Sequence, residues 1–218
     1  KRHVPGRWYA MAGEAGLLMC SWPRGDAARV QEGFDFYFNE CMTGFEYQVA
    51  GHMLWEGMVE EGLAITRAIH DRYHPSRRNP WNEVECGDHY ARAMASYGVF
   101  LAACGYQYHG PKAHLGFDPR LSPDDFRAPF TTAEGWGTFS QRRSGQGQTN
   151  AIALKWGKLR LQSLSLALAK GAKPEKVQVK LGAADVPARL KVAGETATVE
   201  LAQAVVIEAG QTLEVRLG

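Results

Sequence analysis

Glu83, Glu85, His89 and Arg92 are two carboxylates, an imidazole and a guanidinium placed within ten residues of one another. They stand in the run Asn79-Pro-Trp-Asn-Glu-Val-Glu-Cys-Gly-Asp-His-Tyr-Ala-Arg-Ala-Met-Ala-Ser-Tyr-Gly98. Asn79, Pro80 and Asn82 favour a turn, and Gly87 releases the backbone into a helix with Asp88 as its N-cap. Arg92 then falls one turn on, on the same helical side as His89 and Ser96. Such a set suits a polyhydroxylated ligand, because carboxylates accept from sugar hydroxyls and arginine donates a fork of hydrogen bonds. Ordinary ion pairing at a helix start uses the same residue types, and the local pattern leaves both readings open. Trp81, beside Pro80, is the aromatic placed best for the rim of a pocket. Trp22, Tyr37, Tyr47, Trp55 and Trp136 add further faces on which a pyranose could stack.

Two other runs accompany this one: Asn39-Glu-Cys-Met-Thr-Gly-Phe-Glu-Tyr-Gln-Val-Ala-Gly-His52 and Ala133-Glu-Gly-Trp-Gly137. Together the three resemble the C-terminal part of the catalytic region of glycoside hydrolase family 116, over roughly residues 8–140. That family comprises retaining β-glucosidases and non-lysosomal glucosylceramidases, and the resemblance is closest to bacterial members. It implies a barrel of paired helices and a covalent glycosyl-enzyme mechanism, with a Glu nucleophile and an Asp acid/base. Glu40 matches the sugar-contacting Glu of the family's Glu-x-Trp, with Met42 in place of the Trp. Tyr90 and Arg92 match the family's Tyr-x-Arg-Pro-Leu, from which Ala93 and Met94 depart. The resemblance thus implies substrate contacts from Glu40, Arg92 and one of Glu83 and Glu85, with His89 and Trp81 as further members. The family's acid/base motif, Thr-x-Asp, does not occur in the sequence. No catalytic residue is therefore expected here, and both catalytic carboxylates are expected in the remainder of the same enzyme, N-terminal to Lys1.

The elements that must position these residues change character along the chain. Gly44 to Glu56 and Val59 to Tyr73 carry apolar residues at helical spacing, and Asp88 to Cys104 reads as a third, small-residue helix. Tyr106–Gly110 and Ala113–Phe117 look like short strands around a Gly-Pro turn. Beyond Gly135 alternation dominates, in segments such as Ala151–Trp156, Lys158–Leu166, Val177–Leu181 and Leu213–Leu217. Ser144–Thr149, rich in Gly and Gln, is the best linker candidate. The expected fold is α+β: the C-terminal portion of an (α/α) barrel, about three helices over residues 1–137, followed by a small antiparallel β-domain over residues 138–218.

The 218 residues are 45% hydrophobic and 22% charged, a globular balance. A formal charge of +2, with basic residues dispersed, gives no nucleic-acid signal. No apolar run approaches the roughly 18 residues of a membrane span. Cys20, Cys41, Cys86 and Cys104 lack zinc-finger spacing and read as free thiols, a lean toward the cytoplasm. No cofactor is expected. Two alternatives stand beside the glycosidase reading: a non-catalytic carbohydrate-binding or structural module working through its β-region, and a metal-dependent hydrolase using Cys86, Asp88 and His89.

Overall fold

A computed structural model of the chain describes Ala10 and residues 13–17, 41–81, 92–145 and 147–218. It divides into two compact units, Lys1–Ala102 and Ala103–Gly218.

In the first unit, α1 spans Thr43–Trp55 and α2 spans Val59–Arg72. Thr43, Glu46, Ala50, Gly51 and Leu54 form the buried face of α1, recurring at three- and four-residue steps. The helix ends at Gly57, whose φ of +83° only glycine adopts without strain. Gly57 N–H donates to Leu54 O at 3.2 Å and Met58 N–H to Met53 O at 2.8 Å, which satisfies two last-turn carbonyls and turns the chain into α2. Gly62 admits close packing of the two helices, since a Cβ there would collide with Leu54 and lie 2.8 Å from Ala50 O. The third helix is shorter than the spacing predicts. Among the described residues it comprises a 3-10 turn, Ala93–Ala95, and α3, Ser96–Cys104; Arg92 precedes both.

In the second unit, β1 (Gln107–His109), β2 (His114–Phe117), β3 (Asp125–Thr131), β4 (Gly135–Ser144), β5 (Gly147–Ala167), β6 (Val177–Leu181), β7 (Ala184–Asp185), β8 (Ala188–Ala193), β9 (Thr196–Glu208) and β10 (Thr212–Leu217) build two sheets that share β5. One sheet has the order β3-β4-β5-β10-β6-β7 and is antiparallel throughout. The other runs β1-β2-β5-β9-β8, with β2 parallel to β5. Inward residues of both meet in one core that includes Phe117, Phe139, Ile152, Leu161, Leu164, Val199, Ile207 and Val215, each nearly inaccessible to solvent. Phe117 and Phe139 stack face to face within it, 3.7 Å between centroids.

These findings overturn the expected helical-barrel portion. Ten strands and three short helices stand among the described residues, which are dominated by sheet. The helical periods of residues 43–72 are real but local: two helices closed by a glycine pack on one another, and alternation governs the chain from Gln107 onward. Ser144–Thr149 is no linker either, for it closes the β4–β5 hairpin with Ser144 opposite Gly147 and Gly145 at a φ of +59°. No helix among the described residues is long and apolar enough to cross a membrane.

Cys41 and Cys104 form no disulfide, and both are buried. Burial pushes the Cys104 thiol up to about 11, so at pH 8 only on the order of one molecule in a thousand carries the reactive thiolate. Iodoacetamide should therefore leave Cys104 unmodified in the native protein and alkylate it in denaturant, as read by peptide mass mapping. Modification of native Cys104 at the rate of an exposed thiol would refute its burial.

Candidate functional site

Of the residues singled out from sequence, Arg92 and Trp81 are described. Glu40, Glu83, Glu85 and His89 lie outside the described residues, as do Cys86 and Asp88 of the metal alternative. No group of three His, Cys, Asp or Glu side chains that could hold a metal occurs among the described residues. Trp81 ends the Asn79–Trp81 turn, its N–H donating to Asn79 Oδ1 at 3.0 Å, and its ring is 90% exposed.

Arg92 lies against the start of α1. A Cβ on Gly44 would sit 3.0 Å from Arg92 Cδ and 3.4 Å from Arg92 Cβ, so the bare glycine seats the arginine's stem. The guanidinium carbon stands 5.3 Å from the centroid of the Phe45 ring, a cation–π arrangement. The 3-10 turn that follows carries the chain along α1, and Gly51 permits the approach: a Cβ there would meet Gly98 O at 3.4 Å.

An open groove of about 490 Å³ results, lined by Tyr47, Gln48, His52 and Trp55 of α1 and by Ala95 and Gly98 opposite. Gly44, Gln48, Gly51 and Trp55 recur at helical steps, so the seat of Arg92 and the groove share one face of α1. At 1.5 Å per residue this stripe runs about 16 Å, room for two or three pyranose rings. An amide, an imidazole and two aromatic rings are side chains that grip sugars through hydroxyls and C–H faces. His52 also pairs with Glu56 at 3.5 Å, an exposed contact on the neighbouring turn.

Behind this face stands an ion pair with no exposure. Arg72, at the end of α2, and Glu46, in the first turn of α1, are 0% and 1% exposed. The guanidinium binds both carboxylate oxygens, with Nη1 3.1 Å from Oε1 and Nη2 on Oε2. Arg72 Nη1 also donates to Ala15 O at 2.8 Å, and Glu46 Oε1 accepts from Leu17 N–H at 2.7 Å. Burial acts to lower the arginine's pKa, but its hydrogen bonds to Glu46 and the opposing charge outweigh that, and the pKa is raised. At 1% exposure, Glu46 offers neither carboxylate oxygen to a ligand arriving from solvent. Glu46 is therefore a structural carboxylate that joins α1 to α2.

Sequence spacing missed Gln48 and His52. Polar residues four apart on a helix ordinarily mark a solvated face, and here only the tertiary approach of Gly98 makes that face one wall of a groove.

No family model matches the chain, and no curated protein matches it. Among solved structures it is similar to an α-L-rhamnosidase from Dictyoglumus thermophilum, with a TM-score of 0.33 and 12% identity over 59% of this chain and 14% of that one. It is also similar to a Streptomyces avermitilis α-L-rhamnosidase complexed with L-rhamnose, with a TM-score of 0.34 and 14% identity over 59% of this chain and 11% of that one. Both neighbours are glycoside hydrolases, and neither is a family 116 enzyme by name. At this distance the likeness carries no argument about sugar or mechanism, and the chain spans a small fraction of either neighbour's length.

Proposed function

We propose that this chain is the substrate-binding portion of a retaining glycoside hydrolase acting on β-linked glycosides. Its Glu nucleophile and Asp acid/base come from the remainder of the same enzyme, N-terminal to Lys1. One observation carries the reading: Arg92, from one of the glycosidase-like runs, is seated on Gly44 and Phe45 of another, at the head of the α1 groove. Retaining hydrolysis needs two carboxyl groups about 5 Å apart astride the bond, and the binding portion must fix the sugar between them. Arg92 supplies a rigid planar fork for adjacent hydroxyls. Gln48 both donates and accepts, and Trp55 offers a ring to a pyranose C–H face. Glu40 and one of Glu83 and Glu85, together with His89 and Trp81, are further substrate contacts in this proposal.

The test is a titration of the 218-residue chain with an alkyl β-D-glucoside, followed by tryptophan fluorescence and NMR. Binding should saturate, and Arg92→Lys should weaken it by about tenfold or more, since a lost charged hydrogen bond costs roughly 1.5–3 kcal/mol. The melting temperature should hardly move, because one cation replaces another. The chain should show no turnover of an aryl β-glucoside. Unchanged affinity in Arg92→Lys together with a lowered melting temperature would make Arg92 a structural cation and sink this reading.

A further inference from the structure

The second unit carries a separate cluster of basic and polar groups on the outer face of the sheet β1-β2-β5-β9-β8. His109 stands opposite His114, His114 beside Ser163, Ser163 opposite Glu200, and Glu200 opposite Arg189, so one rung of polar side chains crosses five strands. Their neighbours along the strands, Leu115, Leu164 and Val199, point inward and are buried, which fixes the rung on the outside. At its β1 end an open cleft of about 450 Å³ is lined by Gln107, Tyr108, His109, Lys112, His114 and Ser163.

Two chemistries that such residues suggest are excluded by the geometry. A metal would need imidazole lone pairs, but His109 Nδ1 accepts a hydrogen bond from Lys112 N–H at 3.2 Å. The neutral ring therefore carries its proton on Nε2, which makes that nitrogen a donor rather than a ligand. A serine nucleophile would need its base oriented by an acid. Ser163 Oγ is 2.8 Å from His114 Nδ1, yet the carboxylate of the rung, Glu200, flanks the serine and not the imidazole.

What remains is a set of donors. His109, Lys112 and His114 line one cleft. Burial and then the proximity of His109 and Lys112 hold the His114 pKa down. Glu200, beyond Ser163 on β9, is matched in register by Arg189 on β8. The cleft is far larger than one oxyanion needs, given that a water molecule occupies about 30 Å³. Gln107 adds an amide. Tyr108 adds a ring, and its hydroxyl accepts from Ala133 N–H at 3.4 Å. Gly116 leaves the next rung bare beside Gln107, where a Cβ would come within 3.2 Å of Gln107 Cβ.

We infer that this cleft binds the carboxylate of an acidic saccharide, a uronic acid residue, with Lys112 and His109 on the carboxylate and Gln107 and Tyr108 on the sugar. The choice of a saccharide rests on the proposed glycosidase reading, whereas the choice of an anion rests on the cleft alone. The full chain should bind sodium D-glucuronate saturably by NMR titration, at least about tenfold more tightly than D-glucose or inorganic phosphate. Lys112→Ala, an exposed position that leaves the core untouched, should weaken glucuronate binding by about tenfold, and Arg92→Lys should leave it unchanged. Phosphate binding as tight as glucuronate would overturn the saccharide assignment. Absence of glucuronate binding, or equal binding by Lys112→Ala, would overturn the site. Loss of glucuronate binding in Arg92→Lys but not in Lys112→Ala would place the ligand at the α1 groove and overturn it too.

Discussion

Arg72→Met should destabilise the helical unit by about 3–5 kcal/mol, the cost of leaving a buried carboxylate without its countercharge. Glu46 has no route to solvent from its place on the inner face of α1, and Leu17 N–H alone would remain to it among the contacts described. The segment above the pair is equally constrained. A Cβ on Gly16 would fall 2.6 Å from Cys41 Sγ and 2.8 Å from Arg72 Nη1, so the chain passes too near the guanidinium for a side chain to fit. Urea unfolding followed by far-UV circular dichroism at helical wavelengths measures the loss. The double variant Glu46→Leu/Arg72→Met should recover most of it, because removing both charges together also removes their desolvation penalty. A cost below about 1 kcal/mol for the single variant would mean that solvent reaches Glu46, contrary to the structure.

Gly157→Val should destabilise the strand unit by about 2–4 kcal/mol. Gly157 sits in β5 with a φ of +73°, where a β-branched residue is a strong outlier. An added Cβ would also overlap Glu134 O and lie 2.9 Å from Gly135 Cα. Glu134 O accepts from Lys158 N–H at 3.1 Å and Gly157 O from Ala209 N–H at 3.1 Å, so moving the backbone to relieve the clash breaks ties to two neighbouring strands. Gly171→Val is the control: its φ is +78°, but nothing lies within 4 Å of the added atom. That variant should carry only the dihedral strain, about 1–2 kcal/mol. Equal thermal shifts for the two would show that strain, and not the crowding at Glu134, sets the penalty.

The helices were legible where local rules decide them. Gly57 and the apolar steps of residues 43–72 place α1 and α2 within a residue or two of their ends. The larger architecture drawn around them, a portion of a helical barrel, came from the resemblance, and the strands overrule it. Alternation marked most strands correctly, but β5 reads as two, Ala151–Trp156 and Lys158–Leu166, because an interior glycine ordinarily signals a turn. Here Gly157 bends one strand instead of ending it. Arg92 could be singled out from sequence, yet its seat on Gly44 could not, since the contact joins segments 48 residues apart. The rung from His109 to Arg189 was illegible for a stronger reason. Two of its four links, His114–Ser163 and Ser163–Glu200, depend on the register of strands distant in sequence, one of them parallel, and a slip of a single residue would turn each side chain inward.

The sharing of β5 bears on how the strand unit comes apart. Residues 147–156 are paired with β4 and β10, and residues 158–167 with β9 and β2, so the same 21-residue strand supplies a central position to each sheet. Neither sheet can open through its middle without releasing an element of the other. Amide protons along β5 should exchange only by the event that unfolds the entire unit, and with one common free energy on either side of Gly157. The edge strands β1, β3, β7 and β8, each with a partner on one side only, are free to fray at lower cost. The cleft at the β1–β2 hairpin thus lies on a soft margin of a sheet whose centre moves as one body.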